Sequence, residues 1–381
     1  MEIKRIVKQG AALSLAMIIG FSSRGYASQI KTDLSLEEAV KLGIESSEML
    51  ELSGLGMELK KVELKENKSK YMKYRKKENS DDPMDRLEYS EISASILGEQ
   101  NKAEIDTVVT KYAMSELDMK NEYIEKNLEA TISKLYYGVL QAKDMLDIKK
   151  ETLDNLEENY RITKKKFDLG TASKHDLNMI EIDFNNGRLD YAKAEDSYRE
   201  LVRGLNDILD YPLDTKLNLT TGFKPREAKI DLEADIREAY EKRYDYIISL
   251  NDLAIERENF RIIKTAYTPN THIYKKADIG VRNQELKTKN TRKAIEADIK
   301  SKYDRLITSK REIEIMEANV KKAEEGLRVL RVQYDLDLAT MLAVNEALAG
   351  LNQVKLGQAA AIGDYNVAVI EYETAVRIGS I

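Results

Sequence analysis

From residue 98 to 209, and again from 286 to 378, apolar residues recur every three or four positions. In the first stretch Leu135, Val139, Ala142, Leu146, Leu153, Leu156, Tyr160 and Phe167 keep that step, broken only at Lys149 and Thr163. After a short interruption Leu177, Ile180, Phe184, Gly187, Tyr191, Ala194, Tyr198, Leu201, Leu205 and Ile208 resume it. The later stretch repeats the pattern through Leu306, Ile313, Met316, Val320, Ala323, Leu327, Leu330 and Tyr334, then Val344, Ala347, Leu351, Val354, Ala361, Tyr365, Ala368 and Tyr372. A sustained three-four alternation is the seam of a coiled coil. Two seams on either side of one short break predict an antiparallel helical hairpin. Shorter segments near 30–71 and 230–267 are also poor in turn residues and predict further helices.

The two long segments are copies of one another. A shift of 167 places sets Tyr136 on Tyr303, Arg161 on Arg328, Asp168-Leu169 on Asp335-Leu336, Asn178 on Asn345, Leu189 on Leu356 and Tyr198 on Tyr365, with no gap. A period this long marks a duplicated module, not a short-repeat solenoid. Prolines fall at Pro83, Pro212, Pro225 and Pro269, and proline ends helices. The expected organisation is therefore all-α, with two tandem helical-hairpin repeats. Residues 28–209 form the first, with a connector at 72–98. Residues 210–229 are a linker, and 230–381 form the second repeat, with a connector at 268–286.

The interruption in the first hairpin reads KKFDLGTASKHDL, and its Ser173, His175 and Asp176 invite a catalytic interpretation. The spacing argues against it, because neighbours one and two apart on a helix do not face one another. Geometry explains the residues better. Gly170 can take the left-handed conformation that ends the ascending helix, Ser173 can cap the descending one, and Asp176 stands where an acid favours a helix start. The other histidine, His272, lies in a connector without evident metal-binding partners. Acid pairs such as Glu157-Glu158 and Glu324-Glu325 suit solvated helix faces. No catalytic constellation, cofactor site or metal site is expected, and the protein is expected not to be an enzyme.

Composition narrows the class. About a third of the 381 residues are charged, with no Cys and no Trp, which suits long solvent-washed helices better than a large compact core. Residues 1–27 show a basic start, an apolar run from Ala11 to Phe21 and small residues around Tyr26, the layout of a secretory signal peptide cleaved after Ala27. Removing them takes away four basic residues and one acidic one and moves the net charge from −6 to −9. Nucleic acid is not an expected partner of so acidic a chain.

The stretch from Tyr160 to Leu219, YRITKKKFDLGTASKHDL through ILDYPLDTKLNL, resembles the outer-membrane efflux family typified by the tunnel protein TolC. Phe167, Gly170, Ser173, Asp176 and Leu177 match that family's hairpin-tip motif, and ILDYPLD resembles the motif ending its descending helix. The openings LSLEEAVKLGI and AYTP also resemble family landmarks, so the likeness runs from about Leu34 to Val376. It implies a homotrimer whose hairpins pack into a hollow tube and conduct cargo passively outward, fed by a periplasmic adaptor and an inner-membrane pump. An exported, cell-envelope location follows. A 70-residue helix over 100–169 would be about 105 Å long.

Two departures from the family stand out. A membrane-spanning strand needs about 9–11 residues with apolar alternation. Both connectors are short and charged, and their best candidates, YSEISASIL and IYKKADIGV, are spoiled by Glu91, Lys275 and Lys276. The barrel strands are expected to be missing or rudimentary, which leaves membrane contact open. At the second tip the family implies a gate of one tyrosine, one basic residue and two acids. Tyr334 matches the tyrosine and Glu346 the second acid, while Ala339 and Ala343 occupy the other two places. An acidic ring would then have a single layer. The alternative is a non-conducting coiled-coil spacer or adaptor of the envelope that has lost its barrel.

Overall fold

The computed structural model describes residues 31–78, 80–336 and 338–379. The signal peptide expected over 1–27 lies outside the described residues, as does Asp337 of the second tip. The described residues from Asp33 onward cluster as one unit. Within this unit the order is β1 (Asp33–Leu34), α1 (Leu36–Glu45), α2 (Glu48–Glu78), α3 (Pro83–Asp168) and α4 (Lys174–Ile208). Then come β2 (Asn218–Leu219), α5 (Leu232–Lys242), α6 (Tyr244–Ala266), α7 (His272–Asp335) and α8 (Met341–Arg377). The same succession occurs twice: strand, short helix, helix, long helix, helix.

Local chemistry sets the helix starts. Ser35 and Ser173 each form a reciprocal capping box, with Glu38 and Asp176 respectively. Asp82, Asp231, Thr271 and Thr340 cap α3, α5, α7 and α8 through side-chain oxygens, satisfying amides that a helix leaves open at its first turn. Pro83 occupies the first turn of α3, where its missing N–H costs nothing.

The connectors differ from the expected 72–98 and 268–286. Among the described residues helix is interrupted only at 80–82 and 267–271, and the rest of both connectors is helix. YSEISASIL belongs to α3 and IYKKADIGV to α7, so both candidate barrel segments are helical. The physical reason is that Lys, Glu, Arg and Met are good helix formers. A single mid-helix glycine, Gly98 or Gly280, costs a helix only about 1 kcal/mol relative to Ala, so the charged runs continue as helix and only the residues beside each proline interrupt them. As a result α3 has 86 residues, about 129 Å if straight, longer than the sequence suggests.

Both long hairpins fold back as antiparallel pairs. In the first, Lys149 meets Asp190 at 2.7 Å, Tyr160 stacks on Phe184 at 5.5 Å, and Gly187 lies against Leu156. A Cβ on Gly187 would stand 2.6 Å from the Leu156 side chain, so the absence of a side chain lets the helices approach. In the second, Tyr303 packs on Tyr372 and Met316 on Gly357.

The core sits where repeats, strands and linker meet. Tyr136 is fully buried; its hydroxyl donates to the Leu34 carbonyl at 2.9 Å and accepts from the Thr221 amide at 3.1 Å. It thereby fastens α3 to the paired strands β1 and β2, which run parallel with Leu34 opposite Leu219. Linker carbonyls are held by buried amides: Asn206 donates to Leu213 and Thr215, and Asn366 to Lys224. Arg243, 3% exposed, donates to Asp245, Asp298 and the Ala375 carbonyl. Burial works against its charge, but hydrogen bonds from the guanidinium to the two carboxylates hold it above the ordinary arginine range. Gly379, at φ 69°, covers this guanidinium so closely that no side chain fits there.

Candidate functional site

The long helices adjoin in one layer, with the short α5 packed against α6, α7 and α8. Along one half of α3 the order is α2, α3, α6, α7; along the other it is α4, α3, α8, α7. Among the described residues α2 and α4 bound one edge of this layer and α7 the other. The edges carry exposed apolar stripes. On α2 these are Met49, Leu52, Leu55, Leu59 and Val62, with Leu52 67% exposed. On α4 they are Met179, Ile182 and Leu189, and on α7 Ile279, Leu286, Ile315, Val329 and Val332. The α2 stripe keeps a three-four step, a signal present in the sequence that the reading of the two long seams passed over.

At the first tip Gly170 has φ 74° with open space around it, so backbone conformation alone selects glycine. The Gly170 amide donates to Phe167 O at 2.9 Å and the Thr171 amide to Lys166 O at 2.8 Å, closing the last turn of α3 as helix C-termini commonly do. The Asp176 carboxylate accepts from the Ser173 amide at 3.0 Å and hydroxyl at 2.8 Å, while the Asp176 amide donates to Ser173 Oγ at 3.1 Å. Those hydrogen bonds from Ser173 hold the Asp176 carboxyl below its usual range. The carboxylate is thus committed to the cap. Phe167 is half-buried, Leu177 is buried, and Lys174 Nζ lies 5.6 Å from the Phe167 ring centre.

The second tip shares the closure: the Leu338 amide donates to Gln333 O at 2.8 Å, five residues back as at the first tip, and Thr340 caps α8. Tyr334 is half-buried and packs with the cluster of Val320, Leu327, Val344 and Leu351. Glu346 is exposed on the second turn of α8, while Ala339 and Ala343 are half-buried. Leu336, Leu338 and Leu342 stand exposed around this tip, as Leu169 does at the first.

A charged knot joins the repeats. Glu371 on α8 accepts from Lys134 on α3 and from Lys302 and Arg305 on α7, at 3.2, 3.1 and 2.7 Å. Burial works to raise the Glu371 carboxyl, yet the lysines Lys302 and Lys134 hold it below the usual range. Sequence reading missed this knot because its members are far apart in the chain. Among the described residues no three His, Cys, Asp or Glu side chains come together to hold a metal ion, and no helix is long and apolar enough to cross a membrane.

No protein-family model matches the sequence, and no curated protein matches it. The fold has clear relatives among solved structures. The Campylobacter jejuni CmeC outer membrane channel superposes with a TM-score of 0.69 at 14% identity, covering 90% of this chain and 85% of that one. The Neisseria gonorrhoeae MtrE outer membrane channel, in its open state, gives 0.68 at 11% identity, covering 90% and 89%. The Vibrio cholerae outer membrane protein VceC gives 0.62 at 10% identity, covering 91% and 97%. The chain therefore has the TolC-like fold over nearly its whole described length, with helix where the expected barrel segments lie.

Proposed function

We propose that this protein assembles as a homotrimer into a hollow helical conduit for export across a cell envelope, conducting passively without bond chemistry. The observation that carries the reading is the pair of open edges. A single layer of long helices with apolar stripes on both margins closes into a tube when α7 of one copy lies against α2 and α4 of the next. Burial of such stripes is worth about 25 cal/mol per Å². The fold shared with outer membrane channels supports the same closure. The tips, built by Phe167, Gly170, Ser173, Asp176 and Leu177 in one hairpin and by Tyr334 and Glu346 in the other, form the gated end. Glu346 supplies the single acidic layer in the pore. The resemblance further implies an exported chain in the envelope, an adaptor and an inner-membrane pump.

The test is sedimentation of purified protein followed by conductance in planar bilayers. A trimer that conducts is expected, and Glu346→Gln is expected to weaken block by divalent cations. A monomer without channel activity would overturn the reading.

A further inference from the structure

Charge is segregated along this molecule. Residues 60–77 of α2 hold nine basic and two acidic side chains, and residues 257–293 of α6 and α7 hold ten basic and three acidic. Together they carry a net +14; residues 78–123, the turn and the α3 stretch beside them, carry −8, so the band as a whole is net +6 while the rest of the chain is net −12.

The fold brings the two spans to one stretch of α3. Asn67 donates to Thr110, while Asn251 donates to Glu116 and Tyr123 packs on Tyr244. Phe260 on Tyr274 and Ser249 on Thr288 then align α7 beside α6. The band lies about 85 Å along α3 from the tips, since Thr110 and Phe167 are 57 residues apart. Several of its acids are already paired: Glu63 with Lys60, Glu258 with Arg261, Asp278 with Arg282 and Glu285 with Arg257. Lys61, Lys65, Lys68, Lys275, Lys276 and Lys287 are exposed, with no carboxylate within 4 Å among the described residues. Asp82 and Asp85 at the nearby α2–α3 turn are engaged in hydrogen bonds with that turn.

Exposed apolar side chains stand among these charges. Tyr267 (41% exposed) and Ile273 flank the α6–α7 turn, Met84 (74%) follows the α2–α3 turn, and Met72 lies within the basic run. A soluble polyanion offers nothing to such groups, whereas a lipid interface accepts lysines at its headgroups and apolar side chains just beneath.

We propose that this band docks on the surface of an anionic phospholipid membrane, held by headgroup phosphates. The proposal goes beyond the conduit reading and uses the hairpins only as a scaffold. Its failure would show in vesicle binding, whereas failure of the conduit would show in sedimentation and conductance.

The full chain is floated with vesicles of phosphatidylcholine alone or with about 30 mol % phosphatidylglycerol, at about 50 mM and about 500 mM NaCl. Binding to the anionic vesicles at low salt and release at high salt are expected. Lys275→Gln, Lys276→Gln and Lys287→Gln together should lower the partition on the order of 100-fold, with helicity and sedimentation unchanged. Lys143→Gln, Lys150→Gln and Lys193→Gln, outside the band, should leave it intact. Equal binding to neutral vesicles, no binding, insensitivity to the band variant, or capture by long-chain polyphosphate but not by vesicles would each overturn the proposal.

Discussion

Helices α4 and α8 descend from equivalent tips, carry the same three-four apolar step and come from one duplicated module, yet their surroundings differ. In α8 buried positions run from Val344 to Val376, including Val369 at 0% exposure. In α4 only Leu177, Gly187, Val202, Leu205 and Asn206 are buried, and Leu189 stays 54% exposed. The difference is one of neighbours. Helix α8 lies between α3 and α7, whereas α4 packs along its length on α3 and touches α1 only near its end. Equal patterning with unequal burial means that α4 carries an apolar flank without a partner inside one copy, which is the shape of an assembly edge.

The sharpest way to break this comparison is to place a carboxylate on a buried position of one descending helix and on an exposed apolar position of the other. Val369→Asp buries an unpaired charge and should cost more than about 4 kcal/mol, seen as loss of cooperative helix melting. Leu189→Asp should change the stability of one copy by no more than about 0.5 kcal/mol while lowering the sedimentation coefficient of the assembly. If both variants melt alike, the edge interpretation fails.

Next in size is Arg243→Met, which removes the hydrogen bonds from the guanidinium to Asp245, Asp298 and the Ala375 carbonyl. It should destabilise by about 2–4 kcal/mol in urea titration. Among the described residues the first repeat shows no corresponding knot, so its melting should be unaffected if the repeats unfold separately.

Gly170→Ala forces a side chain into a left-handed conformation and should cost about 1 kcal/mol. Gly326→Ala, with free space around a mid-helix glycine, should stabilise by up to about 1 kcal/mol. Thermal melts of opposite sign would confirm that backbone conformation, not packing, selects the tip glycine.

The smallest effect concerns acid. The Asp176 carboxyl has a lowered folded pKa, so its contribution is present above the unfolded value of about 4 and fades as pH falls through the lower folded value. Ser173→Ala should cost about 1 kcal/mol near neutral pH and flatten that part of the pH–stability curve. An unchanged curve between wild type and variant would separate the depressed carboxyl from the cap.

The seams, the fold-back at Gly170 and the duplication were legible because each rests on residues close in the chain and on a period that helix geometry imposes. Connector limits were less legible: the lysine- and glutamate-rich ends of α2 and α7 have the composition of a solvated loop and the propensity of a helix. Packing of α2 along α3 and of α7 along α6 resolves that ambiguity in favour of helix. The candidate gate was legible only as far as Tyr334 and Glu346 by resemblance, since nothing in their local pattern marks a pore.

What the sequence by itself determined is the set of helices, their caps and their turning points, because hydrogen bonding and apolar periodicity act within a few residues. Only the tertiary structure decided which apolar flanks are covered, which charges meet at Glu371 and Arg243, and that two basic segments far apart in the chain share one band. Those outcomes depend on contacts between residues from 43 to 237 positions apart, and the chain must fold before such neighbours exist.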